Sequence, residues 1–127
     1  MLRVIGNALG AVVAMALHSA PTLAQNNAYP DRPIRLVVPF AAGGGGDGAA
    51  RPLAQAMSAK LGQQVVIDNR GGAGGVIGVE IVAHSVADGY TLLMSTAGFA
   101  AMPALHKKLP FDPVKDFAGI VVAESGS

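Results

Sequence analysis

Twice in this chain a short apolar run leads straight into a cluster of glycines, with a helix-forming stretch behind it: residues 34–40 lead into 43–46, and residues 64–69 into 71–75. That alternation leaves little topological choice. Consecutive strands joined through a helix must pair in parallel, because only a long crossover returns the chain to the same end of the sheet, and such crossovers are right-handed. The expected fold is therefore α/β, a parallel sheet with right-handed crossovers. Loops that follow strands gather at one edge of such a sheet, the carboxyl edge, where open α/β sheets bind their ligands.

The elements follow from composition at each position. Residues 29–33 read as an extended lead-in, because Pro30 and Pro33 disfavour helix in the residues before them. Residues 34–40 carry β-branched side chains and one charge, the pattern of a strand buried on both faces. Behind the first glycine loop, Asp47 is expected to act as N-cap of a helix that runs to Leu61, with Leu53, Met57 and Leu61 one turn apart, and Gly62 as its left-handed cap. The second cycle predicts a strand over 64–69 and a helix over 76–85, after which Asp88-Gly89 turns the chain. A third strand over 90–95, a third loop over 96–98, a helix over 99–105 broken at Pro103, an irregular segment over 109–113 and a last apolar strand over 118–123 complete the reading.

The first two dozen residues do not belong to this pattern. Arg3 is followed by an apolar stretch over 4–17 and then by Thr22-Leu23-Ala24, the three-part form of a secretory signal peptide, too short for a membrane span. Cleavage is expected after Ala24, leaving 25–127 as the exported chain and the periplasm as its location. Of nine Lys and Arg, Arg3 is lost with the leader, so eight remain against eight Asp and Glu. A nucleic-acid partner would need a clustered basic excess, and there is none. Without cysteine there is no thiol catalysis, thiolate metal site or disulfide. At 127 residues, 51% of them hydrophobic, the chain can build one core.

The chemistry must lie in the glycine loops. Gly43, Gly45 and Gly48 satisfy G-x-G-x-x-G, with Asp68 twenty residues beyond, which on spacing is a dinucleotide fingerprint. Against it, Asp47 sets a carboxylate where the pyrophosphate would sit, and export removes the chain from the nicotinamide pool. Two alternatives remain: a flexible turn over 43–46 with Asp47 as a mere cap, and an anion cradle, in which two loops with bare amides, both opening helices at one sheet edge, suit a carboxylate and offer neither nucleophile nor base. No G-x-S-x-G, H-E-x-x-H or helically spaced carboxylate pair is present. His84 and His106 read as helix-end or solvated residues, Ser95 and Thr96 as hydroxyl donors or simple turn residues, and Arg51 and Arg70 as partners of Asp47 and Asp68. No metal and no cofactor are implied.

Tyr29-Pro30-Asp31-Arg32-Pro33-Ile34-Arg35-Leu36-Val37-Val38-Pro39-Phe40, Gly43-Gly44-Gly45-Gly46-Asp47 with Ala50-Arg51, Asp68-Asn69-Arg70, Gly72-Ala73-Gly74-Gly75, Asp88-Gly89-Tyr90-Thr91-Leu92-Leu93 and Leu109-Pro110-Phe111-Asp112-Pro113-Val114-Lys115-Asp116-Phe117 together resemble the Bug family, the periplasmic receptors of tripartite tricarboxylate transporters. The resemblance implies a two-lobed receptor of the type II periplasmic-binding-protein fold, without enzymatic activity. Such a receptor captures a small organic carboxylate and delivers it to the membrane permease subunits of the transporter. It also implies where the ligand sits: Phe40, Ala41, Gly43, Gly44, Gly45 and Asp47 in the first loop, Gly74, Gly75 and Val76 in the second, Ser95, Thr96 and Ala97 in the third.

Three departures modify that expectation. Gly46 and Val76 stand where the family often has a hydroxyl residue and an Asn, so two polar contacts are absent. Pro52 and Gly48 replace apolar helix formers, and a glycine inside a helix costs about 0.5–1 kcal/mol against alanine. The chain also stops near the first crossing between lobes, so 25–127 is expected to be a partial first lobe, an N-terminal fragment with the second lobe absent. A secreted enzyme on a nucleotide-binding α/β fold and a non-functional remnant are the alternatives.

Overall fold

A computed structural model describes residues 28–121. The expected leader, its cleavage point after Ala24 and residues 122–123 of the expected last strand lie outside the described residues. The elements run β1 (Ile34–Val38), α1 (Gly45–Leu61), β2 (Val65–Asn69), a 3-10 turn (Ala73–Gly75), α2 (Val76–Ala83), β3 (Thr91–Leu93) and α3 (Gly98–Leu105). The strands form one parallel sheet in the order β2-β1-β3. In register, Ile34 stands opposite Val65, Val38 opposite Asn69, and Val37 opposite Leu93. All three strands therefore end at the same edge.

β1 is central because it is the most apolar, and its side chains serve both faces of the sheet. Ile34, Leu36 and Val38 pack on Ala50 and Ala54 of α1 and on Val65 of β2. On the other side a smaller cluster joins Val79 of α2, Met102 of α3 and Phe111. The lead-in is clamped at the amino edge of the sheet. Arg32 pairs with Asp88 at 2.7 Å and lies over the Tyr90 ring at 4.1 Å, while the Tyr90 hydroxyl donates to Asp31 at 2.6 Å.

Four expectations need correction. α1 begins at Gly45 with Gly44 as N-cap, so Asp47 is not the cap but sits in the first turn and folds its carboxylate back on the loop. α3 is not broken at Pro103; it runs on to Leu105, because His106 N–H reaches Met102 O at 3.0 Å and Met102 is buried against the core. Among the described residues of the expected last strand, 118–121 are unpaired and exposed, since no neighbouring strand reaches them. β3 closes at Leu93, so Ser95 and Thr96 belong to the loop. Gly62 does cap α1 in the left-handed conformation, at φ +67°.

Candidate functional site

The first loop is organised by Asp47. Its carboxylate is 1% exposed, and Oδ2 accepts from Gly43 N–H at 2.9 Å and from Arg51 Nε and Nη2 at 2.9 and 2.8 Å. Those bonds, the Gly43 amide foremost and then the Arg51 guanidinium, hold its pKa below the ordinary carboxylate value against the opposing effect of burial. Asn69 adds to the lowering from nearby, while its amide donates to Phe40 O at 3.3 Å. Oδ1 is buried with no hydrogen-bond partner among the described residues. Asp47 thus lies beneath the loop and braces it, with its charge answered by Arg51.

This bracing leaves the start of α1 open. Gly44 caps the helix without a side-chain bond, and the N–H groups of Gly45 and Gly46 have no carbonyl one turn back within the helix. Gly43, Gly44 and Gly45 are exposed, as is Ala41. Phe40, half-buried, lays its ring on Gly46: a Cβ at 46 would stand 2.6 Å from ring Cδ2. Lack of a side chain at 46 therefore does more than delete a hydroxyl, because it admits the Phe40 ring.

The second loop lies against the first. A Cβ at Gly71 would stand 3.2 Å from Ala41 N, so the two backbones meet at a residue that must be small. Ala73, Gly74 and Gly75 follow at φ +48°, +67° and +94°, a left-handed run that turns the chain into α2 with no side-chain cap. Gly74 is exposed, while Gly75 is buried under Met102, whose Cε would be 3.1 Å from a Cβ there. Val76 is half-buried against the Val79 cluster, which makes this wall apolar. Deeper in α2, Gly78 sits on Pro39 and on Arg70 O, closer than any side chain would permit.

The third loop is less involved. Thr96 Oγ1 accepts from Gly98 N–H at 3.4 Å, a local turn contact, which leaves its own hydrogen free to donate. Among the described residues no hydrogen bond joins Ser95, Thr96 or Ala97 to the other two loops. The third element reaches the second loop instead through α3, by Met102 and by His106, whose Nε2 lies 3.7 Å from a Cβ built on Gly74.

The structure thus joins the predicted residues of the first two loops and leaves those of the third beside them. Asn69, Gly71, Gly78, Met102 and His106 also border these loops. Gly71 was read as part of the second glycine loop and His106 as a helix-end or solvated residue, while Gly78 carried a signal, since a glycine inside a helix marks close packing.

Asp68 also departs from the dinucleotide pattern. Burial would raise its pKa, but Arg35, donating from Nε at 2.7 Å, and Arg70, at 2.8 Å, together hold it below the ordinary value. A carboxylate held between two guanidinium groups is not free for a ribose.

Comparison with known proteins identifies the family. Residues 49–126 match the tripartite tricarboxylate transporter family receptor. Protein BugT of Bordetella pertussis is 46% identical over 112 residues, 84% of this chain and 34% of the relative. The solved periplasmic binding protein BugD superposes with a TM-score of 0.68 at 49% identity, covering 70% of this chain and 30% of that one. MatC from Rhodopseudomonas palustris, solved with bound malate, gives a TM-score of 0.67 at 43% identity over 70% of this chain and 31% of that one. The chain spans about a third of the length of the curated relatives it matches, and its sheet forms part of a periplasmic-binding-protein lobe. With six segments in order, two abutting glycine loops and these relatives, the chain belongs to the receptor family of the tripartite tricarboxylate transporters.

Proposed function

We propose that this chain carries the anion-gripping part of a periplasmic solute receptor, which takes up a small organic carboxylate and presents it to the membrane permease of a tripartite transporter. The observation that carries the reading is the meeting of the two glycine loops. Gly71 against Ala41 brings the uncapped starts of α1 and α2 together at the carboxyl edge of the sheet. Amide donors and the positive ends of two helices attract a carboxylate. The site binds without turnover, since no side chain in it is placed as nucleophile or general base. Residues 1–24 act as a leader cleaved after Ala24, and 25–127 form a partial first lobe whose ligand is held by Phe40, Ala41, Gly43, Gly44, Gly45, Gly74, Gly75, Val76, Ser95, Thr96 and Ala97 around the brace of Asp47.

Malate, the ligand bound in MatC, is the first probe. Calorimetric titration of the exported chain should show saturable binding with malate recovered unchanged. Consumption of malate, or no affinity for any small carboxylate, overturns the reading. Intact-mass analysis of the periplasmic fraction should find a chain beginning at Gln25.

A further inference from the structure

We propose that His106 determines specificity in this site, its imidazole donating to the second carboxylate of a dicarboxylate whose first is held by the glycine loops. The inference rests on the carboxylate reading above and extends it to a ligand class. His106 follows α3 as its C-cap, and α3 crosses the second glycine loop rather than leaving it. Met102, 4% exposed, presses on Gly75, and His106, one turn later on the same face, brings its ring to Gly74. A buried anchor and then a half-exposed ring thus follow one another along the same loop. Nε2 lies 3.7 Å from a Cβ position on Gly74, so the imidazole borders the second loop at a residue with no side chain.

Charge makes the position informative. Residues 41–46 and 71–75 contain no basic side chain, so a second carboxylate finds no cation within the loops themselves. Arg51 and Arg70, which flank them, are tied to Asp47 and Asp68 at 2.8 Å each. Of the glycines in 71–75, Gly74 is the one whose Cβ position meets a side-chain nitrogen, that of His106. An imidazole N–H donates to a carboxylate in the neutral Nε2 tautomer as well as in the imidazolium form. Gly74 must then remain small for two reasons: its φ of +67°, and the room it leaves beside the imidazole.

The test compares malate with 3-hydroxybutyrate, the same carbon skeleton with a methyl group in place of one carboxylate, by calorimetric titration of the exported chain. His106→Leu, which removes the N–H donor, should weaken malate about tenfold and leave 3-hydroxybutyrate within about twofold, the size of one hydrogen bond to a charged group. His106→Gln, which restores a neutral N–H donor, should recover most of the malate affinity. Malate affinity unchanged in His106→Leu, or both ligands weakened alike, overturns the assignment while the carboxylate reading stands. A wild-type chain that binds neither ligand overturns the carboxylate reading, and this assignment with it.

Discussion

The two glycine loops present the same surface and are held by opposite means. The first is a polar construction: a buried carboxylate gathers the Gly43 amide and the Arg51 guanidinium, and among the glycines above it Gly46, under the Phe40 ring, is the tightly packed one. Gly43, Gly45 and Gly48 have nothing within 4 Å of a Cβ position. The second loop is a packing construction. Gly71, Gly75 and Gly78 each touch backbone or a buried side chain, and no ionisable group within residues 71–75 contributes. A loop braced by charge is vulnerable to protons, and a loop braced by volume to methyl groups.

The largest test of that contrast is Gly78→Ala. Its Cβ would stand 2.7 Å from Arg70 O and 2.8 Å from Pro39 Cα, and backbone on two sides cannot yield without moving α2. A loss of about 2–3 kcal/mol in urea unfolding is expected despite alanine's better helix propensity. Wild-type stability in this variant would break the packing account. Gly75→Ala should cost about 1–2 kcal/mol by the same measurement, since it combines φ +94° with the Met102 methyl at 3.1 Å. In the first loop, Gly43→Ala faces open space and should cost only its backbone conformation at φ +82°, about 1 kcal/mol.

Protonation sharpens the same comparison. Asp47 has a folded pKa below its model-peptide value of 3.8. Its contribution is therefore complete above that unfolded value and is lost as pH falls through the lower folded one. Urea midpoints measured from pH 7 down to pH 2 should fall on the acid side, and Asp47→Asn should flatten that fall while lowering stability at pH 7. An unaltered acid limb in Asp47→Asn would show that the loop does not depend on this charge. The smallest effect belongs to Arg70→Ala, within about 0.5 kcal/mol, because the pair is half exposed and Arg35 still holds Asp68.

Much of the fold was legible from residue order. Parallel pairing followed from strand, glycine loop and helix in succession, and Gly62 from its place after Leu61. Arg51 and Arg70 were correctly matched to Asp47 and Asp68, because residues a helical turn or two positions apart meet whatever the rest of the chain does. The role of Asp47 was misjudged by one step: acidic chemistry near free amides was evident, but which amide it serves depends on how the loop folds back. Pro103 read as a break because local rules weigh the missing N–H, whereas burial of Met102 keeps the helix on course.

Sequence alone determined the α/β class, the parallel pairing of its strands and the gathering of the glycine loops at the carboxyl edge of the sheet. These depend on local preference and on the handedness of crossovers, both properties of short stretches of chain. Tertiary structure alone decided that Gly71 meets Ala41, that Gly46 admits the Phe40 ring, and that α3 carries Met102 and His106 across the second loop. Each is a contact between segments distant in sequence or brought together by a turn. Its occurrence depends on helix direction and loop path, which no spacing rule along the chain encodes.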